Sequence, residues 1–148
     1  MRKGDARQAA AALAGLMRVV ERLTYVPREV AKTAAPKLDD LLDEQYEAGV
    51  DPYGRPWRPL KSTTLAKGRR PPPLTDTRRL RDGTRAKPGR AGIRLTVAPR
   101  YGVFHQYGFR VGRARVAPRR ILPTNGMPAA WRAVLKDAAR SQFKAAVR

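Results

Sequence analysis

The chain has 148 residues, with 32 Lys and Arg against 12 Asp and Glu and a formal net charge of +20. That length suits one domain with a single modest core, and the 42% apolar content supports one, while 13 Pro and 12 Gly call for long irregular connections. With no cysteine and one histidine, disulfides, thiolate catalysis and Cys- or His-pair zinc sites are excluded, any Ser-His-Asp triad must use His105, and no apolar run approaches the roughly 18 residues of a membrane span.

The N-terminus, Met1 to Asp5, leads into an Ala-rich stretch broken by Arg18, Glu21 and Arg22. It lacks the clean apolar centre of a secretion signal, so synthesis in the cytoplasm and no membrane contact are expected. From Arg7 to Leu23 the positions Leu13, Leu16, Val20 and Leu23 recur at helical spacing and predict a first helix. Pro27 is suited to start a second, running to Ala48 with Val30, Ala34, Leu38, Leu41, Leu42 and Tyr46 on one face. Pro36 predicts a kink or restart there, with Thr33 as a cap, and Gly49 ends the helix. Core packing is the plain account of both apolar stripes; a face for another subunit is the other. Asp39, Asp40, Asp43, Glu44 and Glu47 form either a solvated helix surface or an acidic face for a basic neighbour.

Residues 50–90 predict an extended Pro-rich arm, from Asp51-Pro52-Tyr53-Gly54-Arg55-Pro56-Trp57 through Arg69-Arg70-Pro71-Pro72-Pro73, with one helical turn near Thr77–Leu80. Strands are expected over Ile93–Val97, Tyr101–Tyr107 and Val111–Val116, with Pro99-Arg100 as a turn. The last element is a helix from Pro128 to Ala146, with Thr124 or Asn125 capping nearby and Trp131, Val134, Leu135, Ala138 and Phe143 on its apolar face. The fold class expected is therefore a single α+β domain: N-terminal helices (1–49), the arm (50–90), a small largely antiparallel sheet (91–123) and a C-terminal helix (124–148).

Charge is unevenly placed. Residues 1–51 hold 8 basic and 9 acidic side chains, whereas residues 52–148 hold 24 basic and only Asp76, Asp82 and Asp137. A GC-rich genome favours the 24 Arg over 8 Lys but does not explain why acids thin out after Asp51. The asymmetry points to a polyanionic partner: nucleic acid, an anionic membrane surface or an acidic protein. Arg110, Arg113, Arg115, Arg119 and Arg120 lie near Tyr101, Tyr107 and Phe109, a mixture suited to phosphates and bases or to carboxylates. No recognised nucleic-acid-reading motif, phosphate-binding glycine loop, metal-ligand cluster or acid–base pair is present, so no enzyme activity, metal or cofactor is expected.

Four segments in register resemble the phage virion morphogenesis (tail completion) family. Asp51 to Leu60, followed by Thr64 and Lys67, is similar to that family's "dPdG.pW.pL…T…K" stretch. Leu74-Thr75-Asp76-Thr77-Arg78-Arg79-Leu80 looks like its "L…tG.L" step, with Arg78 or Arg79 where glycine is usual. Tyr101 to Gly108 resembles "YA.iHq.G", and Val116 to Pro123 resembles "iPaR.fL". The resemblance implies a structural protein of the virion neck, completing the tail and joining it to the head connector as a ring of six. Its implied neighbours are further copies of itself, the connector and a tail terminator or tube protein, with non-specific contact to genomic DNA. The interaction residues it implies are Asp51, Gly54, Trp57, Leu60, His105, Gln106, Gly108, Arg110, Arg113, Arg115, Arg119 and Arg120. Trp57 either anchors the arm on a neighbour or completes its own subunit's core.

Overall fold

A computed structural model of the chain describes residues 3–148; the side chains of residues 3–10, 22, 24 and 25 lie outside the described set. The fold is α+β, as expected, but its first fifty residues form one helix, α1 (Lys3–Ala48), rather than two. Pro27 and Pro36 both lie inside it. Each removes one amide and frees the carbonyl four residues back. Both rings are exposed, so the freed carbonyls of Leu23 and Lys32 lie on the solvent side and the helix continues. Thr33 is interior to the helix, not a cap, and its Oγ1 accepts from Gln142 Nε2 at 3.0 Å.

The two apolar stripes of α1 differ in fate. Ala31, Ala34, Ala35, Leu38, Leu42 and Tyr46 are buried. Leu13, Leu16, Met17 and Val20 are 53–64% exposed, and among the described side chains none before Ala31 is buried. At 1.5 Å per residue the helix runs roughly 40 Å ahead of Ala31. The first stripe is therefore not intrachain core. At the other end Gly49 (φ 67) stops the helix, with Gly49 N donating to Tyr46 O and Val50 N to Gln45 O. Those two bonds and the left-handed glycine make a Schellman cap.

The segment expected as an extended arm folds back on the body. Asp51 Oδ1 accepts from Tyr53 N and Arg55 N, closing a turn in which Gly54 has φ 81. The chain then returns so that Trp57 N donates to Gly49 O. Trp57 is 5% exposed and packs edge-on against Tyr46, ring centroids 5.5 Å apart. It completes its own subunit's core. Beyond it come two short helices, α2 (Ser62–Ala66) and α3 (Arg79–Asp82), and a strand, β1 (Thr84–Pro88). The sequence reading placed β1 within the arm and so missed it.

Strand β1 pairs antiparallel with β2 (Ile93–Val97), Thr84 opposite Val97 and Pro88 opposite Ile93. This hairpin lies against α1. The expected strand at 101–107 is instead a helix, α4 (Gly102–Tyr107). Its inward residues are Gly102 and Gln106, four apart, while Val103, Phe104 and Tyr107 face out. The period is helical, but the buried positions are not apolar in sequence and the exposed ones are. The expected strand at 111–116 is a hairpin, β3 (Phe109–Val111) and β4 (Ala114–Val116), turning at Gly112 and Arg113. The strands thus form two separate two-stranded sheets rather than one.

Helix α5 (Ala129–Val147) starts at Pro128 without a side-chain cap and packs along α1 through Trp131, Ala138 and Ala146. Phe143, expected on its packed face, is 53% exposed. Thr124 and Asn125 do not cap it; their amides go to Tyr53 Oη. The core has two parts: Leu38, Leu42, Ala86 and Trp131 form one, and Tyr46, Trp57, Leu80 and Ile121 the other. Leu122 packs against both.

Tyr46 is fully buried, and its hydroxyl lies 2.8 Å from Thr84 Oγ1. Thr84 spends its one proton on Leu80 O, so Tyr46 donates. Burial pushes its pKa from 10.0 to about 12. The unfolded chain then loses this proton first, and stability present below pH 10 drains away as pH rises towards 12. Tyr46→Phe is expected to lower stability at pH 7 by about 1 kcal/mol and to flatten a loss of about 2–3 kcal/mol between pH 10 and 12, read from urea midpoints.

Arg78 is a non-glycine residue at φ 57, and of the two arginines in the Leu74–Leu80 step it is the one standing at a glycine conformation. Arg78→Gly is expected to raise the unfolding free energy by up to about 1 kcal/mol, measured in the same way.

Candidate interaction surface

The segments singled out in sequence converge on one strap of irregular chain, residues 118–126. Gln106 Oε1 accepts from Ile121 N at 2.8 Å and Leu122 N at 2.9 Å, and its Nε2 donates to Leu122 O at 2.9 Å. Gln45 Nε2 donates to Ile121 O, and Trp57 Nε1 to Arg120 O, both at 2.9 Å. Tyr53 Oη accepts from Thr124 N and Asn125 N and donates to Gly126 O. The strap has no ladder partner, so side chains supply the hydrogen bonds that a neighbouring strand would.

Half of the twelve candidate interaction residues therefore have a role within the subunit's own fold. Asp51 and Gly54 shape the turn that delivers Tyr53 and Trp57. Gly108 has φ 76, and a Cβ there would stand 2.7 Å from Val116 O, so only glycine fits between α4 and the hairpin. Arg119, for which the sequence allows either an interface role or a local structural salt bridge, is half-buried, and its Nε and Nη2 donate to the carbonyls Arg58 O and Pro59 O rather than to a carboxylate. Burial and the neighbouring Arg58 charge lower its pKa. His105 is half-buried beside it, edge-on to Tyr101 at 6.1 Å; burial, then the Arg119 charge, lowers its pKa. Leu60, His105 and Arg119 line an open cleft of about 590 Å³ below the 60–79 segment. Arg120 is half-buried and gives only its carbonyl to Trp57.

Arg110, Arg113 and Arg115 remain. All three are exposed on the β3–β4 hairpin, Arg110 directly opposite Arg115, and no acidic side chain pairs with them among the described residues. Exposed apolar side chains also occur here, Val103, Phe104 and Tyr107 on α4 and Val111 on β3, exposed by 52, 53, 72 and 61%; strand alternation turns Val111 to the side of the ribbon away from Arg110. Phe104 meets Phe109 at 5.7 Å between centroids, joining α4 to the hairpin. Reading 101–107 at helical period, with Gly102 and Gln106 inward, is the signal that finds the exposed side chains of α4.

The acidic stripe of α1 resolves into its two alternatives. Asp39, Asp43 and Glu47, spaced by four, face Arg81 and Arg85: Arg81 binds Asp43 at 3.1 Å and Glu47 at 2.8 Å, and Arg85 lies 3.6 Å from Asp43. The hydrogen bonds to Asp43 and Glu47 raise the Arg81 pKa. Asp40 and Glu44 are exposed to solvent. Among the described residues no group of three or more His, Asp or Glu is placed to hold a metal ion, and no helix is long and apolar enough to cross a membrane.

Motif residues that hold loops together thus leave an apolar helix face, exposed aromatics and three hairpin arginines uncovered among the described residues. The model of the phage virion morphogenesis family matches residues 5–142, and the chain belongs to that family. It is a virion-associated protein of bacteriophage assembly, of a generally structural kind. No curated protein and no solved structure gives a significant match.

The division between fold-holding and exposed residues is measurable. Gln106→Ala strands two amides and a carbonyl of the strap and is expected to cost about 2–4 kcal/mol. Arg113→Ala, on the hairpin turn, should change stability by less than about 0.5 kcal/mol. Chemical denaturation of both variants gives the comparison.

Proposed function

We propose that this protein is a structural subunit of the neck of a tailed phage, completing the tail and joining it to the head connector as an oligomeric ring. The observation that carries the reading is the unburied apolar stripe Leu13, Leu16, Met17 and Val20, in a chain that belongs to the phage virion morphogenesis family. A projecting helix with one apolar face is stable in water only when another surface covers that face. A second copy supplies such a helix in every subunit of a closed ring.

Charge limits how such a ring is held. Six copies at +20 each carry about +120, and close-packed like charges repel. Self-association through an apolar stripe, with the cations turned to other partners, meets that limit. A second reading, a free-standing nucleic-acid binder, is favoured by one observation: no acidic residue stands between Asp82 and Asp137.

The mass of the purified chain at low and high salt, with and without a short DNA duplex, separates the two. Rings are expected, and Leu16→Glu with Val20→Glu should leave monomers that keep their helix content. A phage carrying that double variant should yield filled heads and tails that fail to join. A stable monomer that binds DNA stoichiometrically, with affinity falling steeply as salt rises, would overturn the neck reading.

A further inference from the structure

We propose that the apolar stripe at the start of α1 is seated, in the next copy of the chain, on the apolar face made by α4 and the β3–β4 hairpin, so that copies join head to tail. The proposal rests on the neck reading and deepens it by naming the surface that covers the stripe. The size, placement and charge of the two faces carry it, together with the symmetry of a ring.

The hairpin is a two-sided ribbon. Residues directly opposite share a side, and neighbours along a strand alternate. Phe109, Val111, Ala114 and Val116 therefore stand on one side, and Arg110 and Arg115 on the other. The apolar side continues onto α4 through the contact of Phe104 with Phe109, and Val103, Phe104 and Tyr107 share one sector of that helix, opposite the buried Gly102 and Gln106. Val103, Phe104, Tyr107 and Val111 are each more than half exposed, as are Leu13, Leu16, Met17 and Val20. Each face thus opens apolar area on the order of 400 Å², and a helix laid across the receiving face buries roughly the 1,000 Å² in total that a specific contact requires. Away from these two faces the exposed large apolar side chains among the described residues are Leu65, Met127 and the pair Phe143 and Val147.

The two faces lie at opposite ends of the subunit. Ile121 is held by Gln45 of α1 and Gln106 of α4 together, which places α4 beside the C-terminal end of α1. The stripe lies in the N-terminal half of the same helix, roughly 40 Å away at 1.5 Å per residue. Neither face can cover the other within one chain. A stripe that met its own counterpart across a two-fold axis closes a pair and stops there. A closed ring of more than two copies needs each copy to present two unlike surfaces, one to each neighbour. The stripe at one end and the receiving face at the other are such surfaces, and α4 is the helix that the next copy supplies.

Charge selects the same pairing. Two copies at +20 each repel wherever their cations are brought together. Both apolar faces are nearly free of charge. From Gln8 to Val20 the only charged residue is Arg18, and the ribbon turns Arg110 and Arg115 to its other side. Copies can therefore approach through these faces without opposing their cations. Duplex DNA offers neither face a counterpart, because the surface it presents is charged phosphate.

Mixing two variants of the purified chain tests this. Leu16→Glu with Val20→Glu removes the stripe and keeps the receiving face; Phe104→Glu with Tyr107→Glu does the reverse. Each is expected to sediment as a monomer, and an equimolar mixture to form one-to-one dimers that grow no further. The chain has no cysteine, so introduced thiols locate the contact: Met17→Cys and Tyr107→Cys copies, mixed and oxidised, should cross-link at least tenfold more than either copy alone. Three results overturn the proposal and leave the ring reading standing: rings that survive Phe104→Glu with Tyr107→Glu, wild-type rings whose two variants stay monomeric when mixed, and Met17→Cys copies that link to one another as well as to Tyr107→Cys. Linked copies that extend into open filaments keep the contact and remove the ring. A wild-type chain that is monomeric at every concentration removes both. Should the Phe104 and Tyr107 replacements lose helix content by circular dichroism, Val103→Glu takes their place, and the thiol pair at two exposed positions gives the same decision.

Discussion

Ile121 is completely buried on a stretch of chain that is neither helix nor strand, and the rest of the structure depends on how that stretch is satisfied. Buried backbone without a ladder partner is costly, each unmet amide or carbonyl forfeiting about 1–3 kcal/mol. Here Gln106 meets three groups of the strap, and Gln45 and Trp57 one each. These residues come from α4, α1 and the returning arm, so the strap ties three distant parts of the sequence to one another. Ile121 can then join Tyr46, Trp57 and Leu80 in the core, and Leu122 can bridge to the second cluster around Trp131.

The strap also sorts the arginines. Arg119 is pulled inward because the backbone carbonyls of Arg58 and Pro59 need donors, and a guanidinium can satisfy both from one planar group. Arg81 and Arg85 are neutralised by the acidic stripe of α1. The hairpin arginines have no such task. A net charge of +20 therefore overstates the uniformity of the surface: part of the excess is structural, and part is concentrated on one small ribbon.

The element types that the sequence made legible were those whose buried side chains are apolar. The second stripe of α1, strand β2, the Gly49 stop and helix α5 all follow from periodicity and capping. Three features escaped it for physical reasons. Pro27 and Pro36 read as interruptions because a proline's cost depends on which way its ring faces, and that is a tertiary fact. Helix α4 read as a strand because its inward positions are a glycine and a glutamine; Gln106 is buried for its hydrogen bonds rather than for apolar area. Strand β1, Thr84-Arg85-Ala86-Lys87-Pro88, carries only threonine and alanine on its buried side, too little apolar signal to stand out beside a proline run.

The same logic bears on the candidate site. Asp51, Trp57, Gln106 and Gly108 stand out in sequence because a demanding local geometry requires those residue types: an Asx turn, a large ring with one donor, an amide with both donor and acceptor, a left-handed hinge. A demanding geometry is most often an intramolecular one, and the structure places all four in the scaffold. A surface that meets a partner imposes no such requirement within the chain. Its residues are marked instead by a local disadvantage that no other described residue offsets, the condition of Phe104 and Tyr107 in water, of Arg110 facing Arg115, and of Leu13 to Val20 along α1. On the proposed neck reading, such uncompensated features are where a neighbour would supply the missing half of the interaction.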